Sequence, residues 1–159
     1  MDSIEIMTTG RIELGPTGRA VAANVKRLRA TRGMSLRALS EALEKAGRGL
    51  SQDAINKIEN GAKPDAKQVR RVDVDDLAAL AVALRVNPSA LLLPLTDDPS
   101  QMVKITGVGE VGADRAWDWV DGEMPIEQVK PGDPTGAILQ FQVDARPAGR
   151  RMQLGAADG

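Results

Sequence analysis

Between residues 19 and 93 the apolar residues recur at helical spacing in short bursts. Each burst is bracketed by residues that start or stop a helix. Val21, Ala22, Val25 and Leu28 make one stripe, which Gly33 closes. Leu36, Leu39 and Leu43 make a second, opened by Ser35 and ended by the turn Lys45-Ala46-Gly47-Arg48-Gly49. Ala54, Ile55 and Ile58 make a third, opened by Ser51 and stopped by Asn60-Gly61. Asp73 and Asp76 form a capping arrangement ahead of a fourth, with Leu77, Leu80, Ala81 and Leu84 inside, and Asn87-Pro88 breaks it. Pro88 to Leu92 supplies one further turn. Isolated helices shorter than about 12–15 residues are marginal in water. These segments must therefore bury their stripes against one another, so the span 16–94 is expected to be mainly α.

The flanks carry less pattern. Residues 1–15 form an arm in which Ile4, Ile6, Ile12 and Leu14 alternate weakly, and Gly15-Pro16-Thr17-Gly18 signals a turn before the first helix starts at Arg19. Residues 95–100 read as a linker. Residues 101–146 form a small acidic appendage, α/β or helical. In it Met102, Val103 and Ile105 suggest a strand, Gly107, Gly109 and Gly112 mark turns, and Ala113, Ala116, Trp117 and Val120 share one helix face. Residues 131–145 read two ways. Leu139, Phe141 and Val143 alternate as in a strand, whereas Asp133-Pro134 starts a helix with Ala137, Ile138, Phe141 and Ala145 inward; the helix is preferred. Residues 147–159 read as a flexible tail.

Composition excludes several functions. The chain has no His, Cys or Tyr. That removes the commonest general base, the thiol nucleophile and the usual zinc ligands, and with them any disulfide framework. No P-loop, dinucleotide glycine motif or nucleophile elbow is present. The reading is of a protein that is not an enzyme and takes no cofactor or metal, with no small-molecule pocket evident. Paired acids such as Asp75-Asp76 and Asp97-Asp98 read as helix starts and loops. The aromatic residues are Trp117, Trp119 and Phe141 alone, too few for base-stacking platforms. Trp117 reads as core, and Trp119, on the opposite side of its helix, as a candidate interface residue. No apolar run approaches about 20 residues, so no membrane span is expected. Met1 to Glu5 lacks the regions of a signal peptide, so a cytoplasmic location is expected.

A total of 21 basic and 22 acidic residues, net −1, argues against a polyanion partner until it is divided. Residues 1–71 hold 14 basic and 8 acidic side chains, and residues 72–159 hold 7 and 14. The net charges are therefore +6 and −7. The basic half coincides with the capped helices, and Lys63, Lys67, Arg70 and Arg71 concentrate in the loop after the third. Residues 35–61 hold two short helices at a spacing that suggests a helix-turn-helix. A major-groove helix needs an apolar inner side and a polar outer one. Ala54, Ile55 and Ile58 face in; Gln52, Asp53, Asn56 and Lys57 face out. Gln and Asn can pair with adenine, Lys can donate to guanine, and Asp can accept from cytosine.

These residues resemble a known family. The run Leu28-Arg29, Arg32-Gly33-Met34-Ser35, Leu39-Ser40, Leu43, Ser51, Ile55, Ile58-Glu59-Asn60-Gly61, Pro64, Leu77, Leu80-Ala81 and Leu84 resembles the Cro/phage-repressor (xenobiotic-response-element) type of helix-turn-helix regulator. The likeness covers residues 19–93. It implies a five-helix, lambda-repressor-like domain that binds double-stranded DNA as a homodimer. By that likeness Gln52, Asp53 and Lys57 read bases beside Asn56, and Ser51 caps the recognition helix. Ser35, Arg37, Arg48, Ser51, Asn60, Lys63, Lys67, Arg70 and Arg71 hold phosphate. Arg29 and Glu59 form a structural ion pair tying the first helix to the third. A narrower likeness, through Arg70-Arg71-Val72-Asp73-Val74-Asp75-Asp76-Leu77 and Arg115-Ala116-Trp117-Asp118-Trp119, is to small actinobacterial or actinophage regulators. Arg at 14 against Lys at 7 suits a GC-rich genome. The expected function is transcription regulation by promoter occlusion, for example as a phage immunity repressor. The alternative is a helix-turn-helix antitoxin or protein-interaction adaptor. One departure from the family is the turn between the second and third helices, which is longer than the usual three or four residues.

Overall fold

The computed structural model describes residues 12–127, 132 and 134–152. The expected strand at Ile4 and Ile6, the helix start at Asp133 and the tail beyond Met152 lie outside the described residues. The described residues are mainly helical, with one two-stranded sheet among them. It divides into two compact units. The first comprises the described residues to Leu95 together with Lys104–Gly109; the second comprises Thr96–Val103 and the described residues from Glu110 onward.

The first unit contains α1 (Pro16–Thr31), α2 (Leu36–Lys45), α3 (Gln52–Asn60), α4 (Val74–Leu84) and α5 (Ser89–Leu92). Its core is Val21, Val25 and Leu28 of α1, Leu39 and Leu43 of α2, Ile55 and Ile58 of α3, Leu80 and Leu84 of α4, and Leu91 of α5. Full burial of each such side chain contributes about 1.5–3 kcal/mol. Buried Asn24 is satisfied within this core. Its amide donates to the carbonyls of Leu91 and Leu93 at 3.0 and 2.8 Å, closing the end of α5.

The caps are local chemistry. Ser35 and Ser51 accept from the amides of Ala38 and Ala54, each at 3.0 Å. Asp73 and Asp76 make a reciprocal capping box at the start of α4. α1 begins at Pro16, three residues before the expected Arg19, and the turn reading of Gly15–Gly18 is corrected. Proline fixes φ near the helical value, and its missing N–H is harmless in a first helical turn. Gly15 offers that turn no side-chain cap, and Thr106 takes the role: Thr17 N donates to Thr106 Oγ1 at 3.2 Å, and Thr106 N donates to Thr17 Oγ1 at 3.0 Å. This contact explains why Lys104–Gly109, expected within the appendage, belongs to the first unit.

The sheet pairs β1 (Met102–Ile105) with β2 (Gly109–Gly112). The second unit holds α6 (Ala113–Val120), α7 (Pro134–Ala145) and a 3₁₀ turn, Ala148–Arg150. Ala113 and Ala116 of α6 are buried as expected, and Trp117 and Val120 are partly buried. The preferred helical reading of 134–145 holds, but its inward face is corrected. The buried residue is Gln142, whereas Ala137 and Ala145 are exposed and Ile138 and Phe141 half-buried. Gln142 can lie inside because both ends of its amide are used: Nε2 donates to Glu123 O at 2.8 Å, and Oε1 accepts from Met152 N.

Candidate nucleic-acid interface

α2 and α3 are joined by Ala46–Ser51. Gly47, at φ 81°, makes the left-handed step that ends α2. The turn is held to α2 at its far end, where Ser40 Oγ donates to Leu50 O at 2.6 Å and Leu50 is buried. α3 then presents two faces. Ile55 and Ile58 are in the core, and Gln52, Asp53 and Asn56 are exposed, with Lys57 half-buried. Lys57 and Asp53 pair across one helical turn at 2.9 Å. Such an exposed pair is worth about 0.2–0.5 kcal/mol, little enough for either side chain to exchange its partner for a base edge.

Glu59 on the inner side of α3 is 6 % exposed and receives the fork of Arg29, Nε at 2.7 Å and Nη2 at 2.9 Å. Arg29 Nη1 also donates to Met34 O at 2.9 Å. One guanidinium thus joins α1, the start of α2 and the end of α3. The hydrogen bonds to Glu59 push the Arg29 pKa up, against the opposing effect of partial burial.

The residues expected to hold phosphate fall into four groups. Lys63, Lys67 and Arg71 are exposed on the loop after α3, and Arg71 Nη2 donates to Glu13 O at 3.0 Å. Arg37 is exposed and pairs with Glu41 one turn on at 3.1 Å. Ser35 and Ser51 act as caps, and Asn60 donates to Gln68 O at 3.1 Å, which fixes the loop to the end of α3. Arg48 and Arg70 differ. Arg48 Nε lies 3.0 Å from Asp76 and its Nη2 2.8 Å from Asp73, while Arg70 Nη2 lies 3.4 Å from Asp76. Both guanidinium groups are thus partnered by carboxylates of the α4 capping box. The hydrogen bond to Asp76, and then the charge of Asp73, raise the Arg48 pKa. The amide of Asp76 holds the Asp73 carboxyl below its ordinary value, as do the nearby arginines. Asp76, the hub of this cluster, carries no signal in the sequence beyond its capping position. Trp119, expected at an interface, is partly buried on α6.

An apolar cavity of about 310 Å³ also opens in the first unit, where none is evident from the sequence. Its walls include Val21, Ile58, Val72, Leu77 and Leu92, and the charged residues at it include Arg70 and Asp73, which already hold partners.

No protein-family model, no curated protein and no solved structure matches the chain. Among the described residues no helix is long and apolar enough to cross a membrane.

Proposed function

We propose that this chain is a sequence-specific regulator of transcription, a homodimeric, lambda-repressor-like protein that occludes a promoter on double-stranded DNA. The observation that carries the reading is the division of α3. A short helix follows a turn, its aliphatic side is buried, and its other side displays Gln52, Asp53 and Asn56 to solvent. In this reading those residues and Lys57 meet base edges. Lys63, Lys67 and Arg71 hold phosphates beside them, with Arg37 and the helix starts at Ser35 and Ser51. The acidic second half stays off the DNA.

Selection from a random duplex library tests the reading. The full chain enriches one duplex. Gln52→Ala narrows the gap between that duplex and a scrambled one. Lys67→Ala weakens both equally and lowers the salt slope by about 0.9. Absence of enrichment, or binding indifferent to salt, refutes it. An adaptor or antitoxin role is the second reading, favoured by Val74 and Val82 at 81 % and 67 % exposure on α4.

A further inference from the structure

The long turn before α3 and the carboxylate partners of Arg48 and Arg70 have one explanation. Ordinary helix-turn-helix turns of three or four residues fix the second helix by their shortness. Here Ala46–Ser51 links α2 to α3, and Ser40 holds its far end to α2. Arg48, in the middle of that turn, reaches α4 instead, at Asp76 and Asp73. The chain leaving α3 reaches the same place. Arg70 N donates to Lys57 O of α3 at 3.1 Å, and the Arg70 side chain meets the second oxygen of Asp76. Asp76 is 1 % exposed, and its Oδ2 also accepts from Asp73 N at 3.2 Å. One buried carboxylate thus anchors the segment entering α3 and the segment leaving it.

We propose that Asp76, with Asp73, sets the orientation of α3 in the groove, and that Arg48 and Arg70 are positioning residues for base reading. The inference rests on the DNA-binding reading above. A side chain that reads bases discriminates only if its helix is held in place by a shell of its own. A guanidinium suits the task because its planar fork can serve two carboxylates at once; an ammonium is a point charge that cannot reproduce this geometry.

The test uses the full chain and the duplex it selects from a random library. The readout is the ratio of dissociation constants, scrambled over selected, with the salt slope for each variant and a circular dichroism melt to check the fold. Arg48 and Asp73 are 39 % and 58 % exposed, so both accept substitution more readily than Asp76. Arg48→Ala and Asp73→Ala each lower the ratio by about tenfold. The double variant loses no more than either single. Arg48→Lys, which keeps the charge, also loses the ratio, and the salt slope of Arg48→Ala matches that of the wild type. Three results overturn the proposal. One is an unchanged ratio in Arg48→Ala. Another is an equal loss on both duplexes with a slope smaller by about 0.9, which marks a direct phosphate contact. The third is full function in Arg48→Lys. If the wild type enriches no duplex, the DNA-binding reading itself fails; enrichment with an unchanged ratio defeats the positioning role alone.

Discussion

Replacing Arg29 by alanine isolates the interaction that ties α1 to α3. The substitution removes both donors to Glu59, at 2.7 and 2.9 Å, and the one to Met34 O at 2.9 Å. It leaves a carboxylate only 6 % exposed with its guanidinium gone. Breaking a buried pair from one side costs about 3–5 kcal/mol. Arg29 is itself 20 % exposed, so water can reach part of the vacated space and the lower end applies, about 3 kcal/mol. For a domain near 100 residues this lowers Tm by about 15 °C. Calorimetry and urea unfolding of the full chain measure it, following the transition of the first unit. Glu59→Ala costs less, about 2 kcal/mol, because the stranded guanidinium keeps its carbonyl partner and its wet edge. Arg29→Met with Glu59→Leu costs less than either single, since no buried charge remains. A Tm drop under about 5 °C for Arg29→Ala, or a double variant equal to the sum of the singles, refutes the reasoning.

Three further outcomes are expected. Ser51→Ala removes the acceptor for Ala54 N and costs about 1 kcal/mol, seen as a lower urea midpoint at unchanged m; Ser51→Asp restores it. Arg85 ends α4 at φ 59°, a conformation glycine adopts without a Cβ penalty, so Arg85→Gly raises stability by about 0.5–1 kcal/mol, and a lower Tm contradicts this. The folded-state pKa of Asp73 lies below its ordinary 3.8, so its contribution is present above that pH and is lost as pH falls through the lower, folded value. A series of melts below pH 5 on Asp73→Asn therefore shows a shallower acid decline than the wild type; identical declines dispose of the assignment.

What the sequence made legible follows the range of the interactions involved. Ser35, Ser51 and Asp73 were recognisable as caps because each acts on an amide three residues away. The aliphatic faces of α1 to α4 were legible for the same reason, helical spacing being a local pattern. Pro16 was not, because its fixed φ suits a turn and a first helical turn alike. The burial of Gln142 is not legible either, since a polar residue is buried only when distant partners satisfy it, here Glu123 and Met152. At the candidate site, the outward set Gln52, Asp53 and Asn56 could be read from the position of Ser51. The fates of Arg48 and Arg70 could not. Arg48 meets Asp76 across 28 residues, and nothing in a single sequence separates an arginine bound to a carboxylate from one waiting for a phosphate.

The contact between Thr17 and Thr106 spans 89 residues. During synthesis at about 5–20 residues per second, α1 emerges from the ribosome roughly 4–18 s before the threonine that completes its first turn. Over that interval the start of α1 relies on Pro16 and on local contacts such as Arg19 with Leu14 O and Gly15 O. A fragment cut after α5 stays in that early state permanently. Any shortened version meant to retain the native start of α1 therefore has to extend past Thr106.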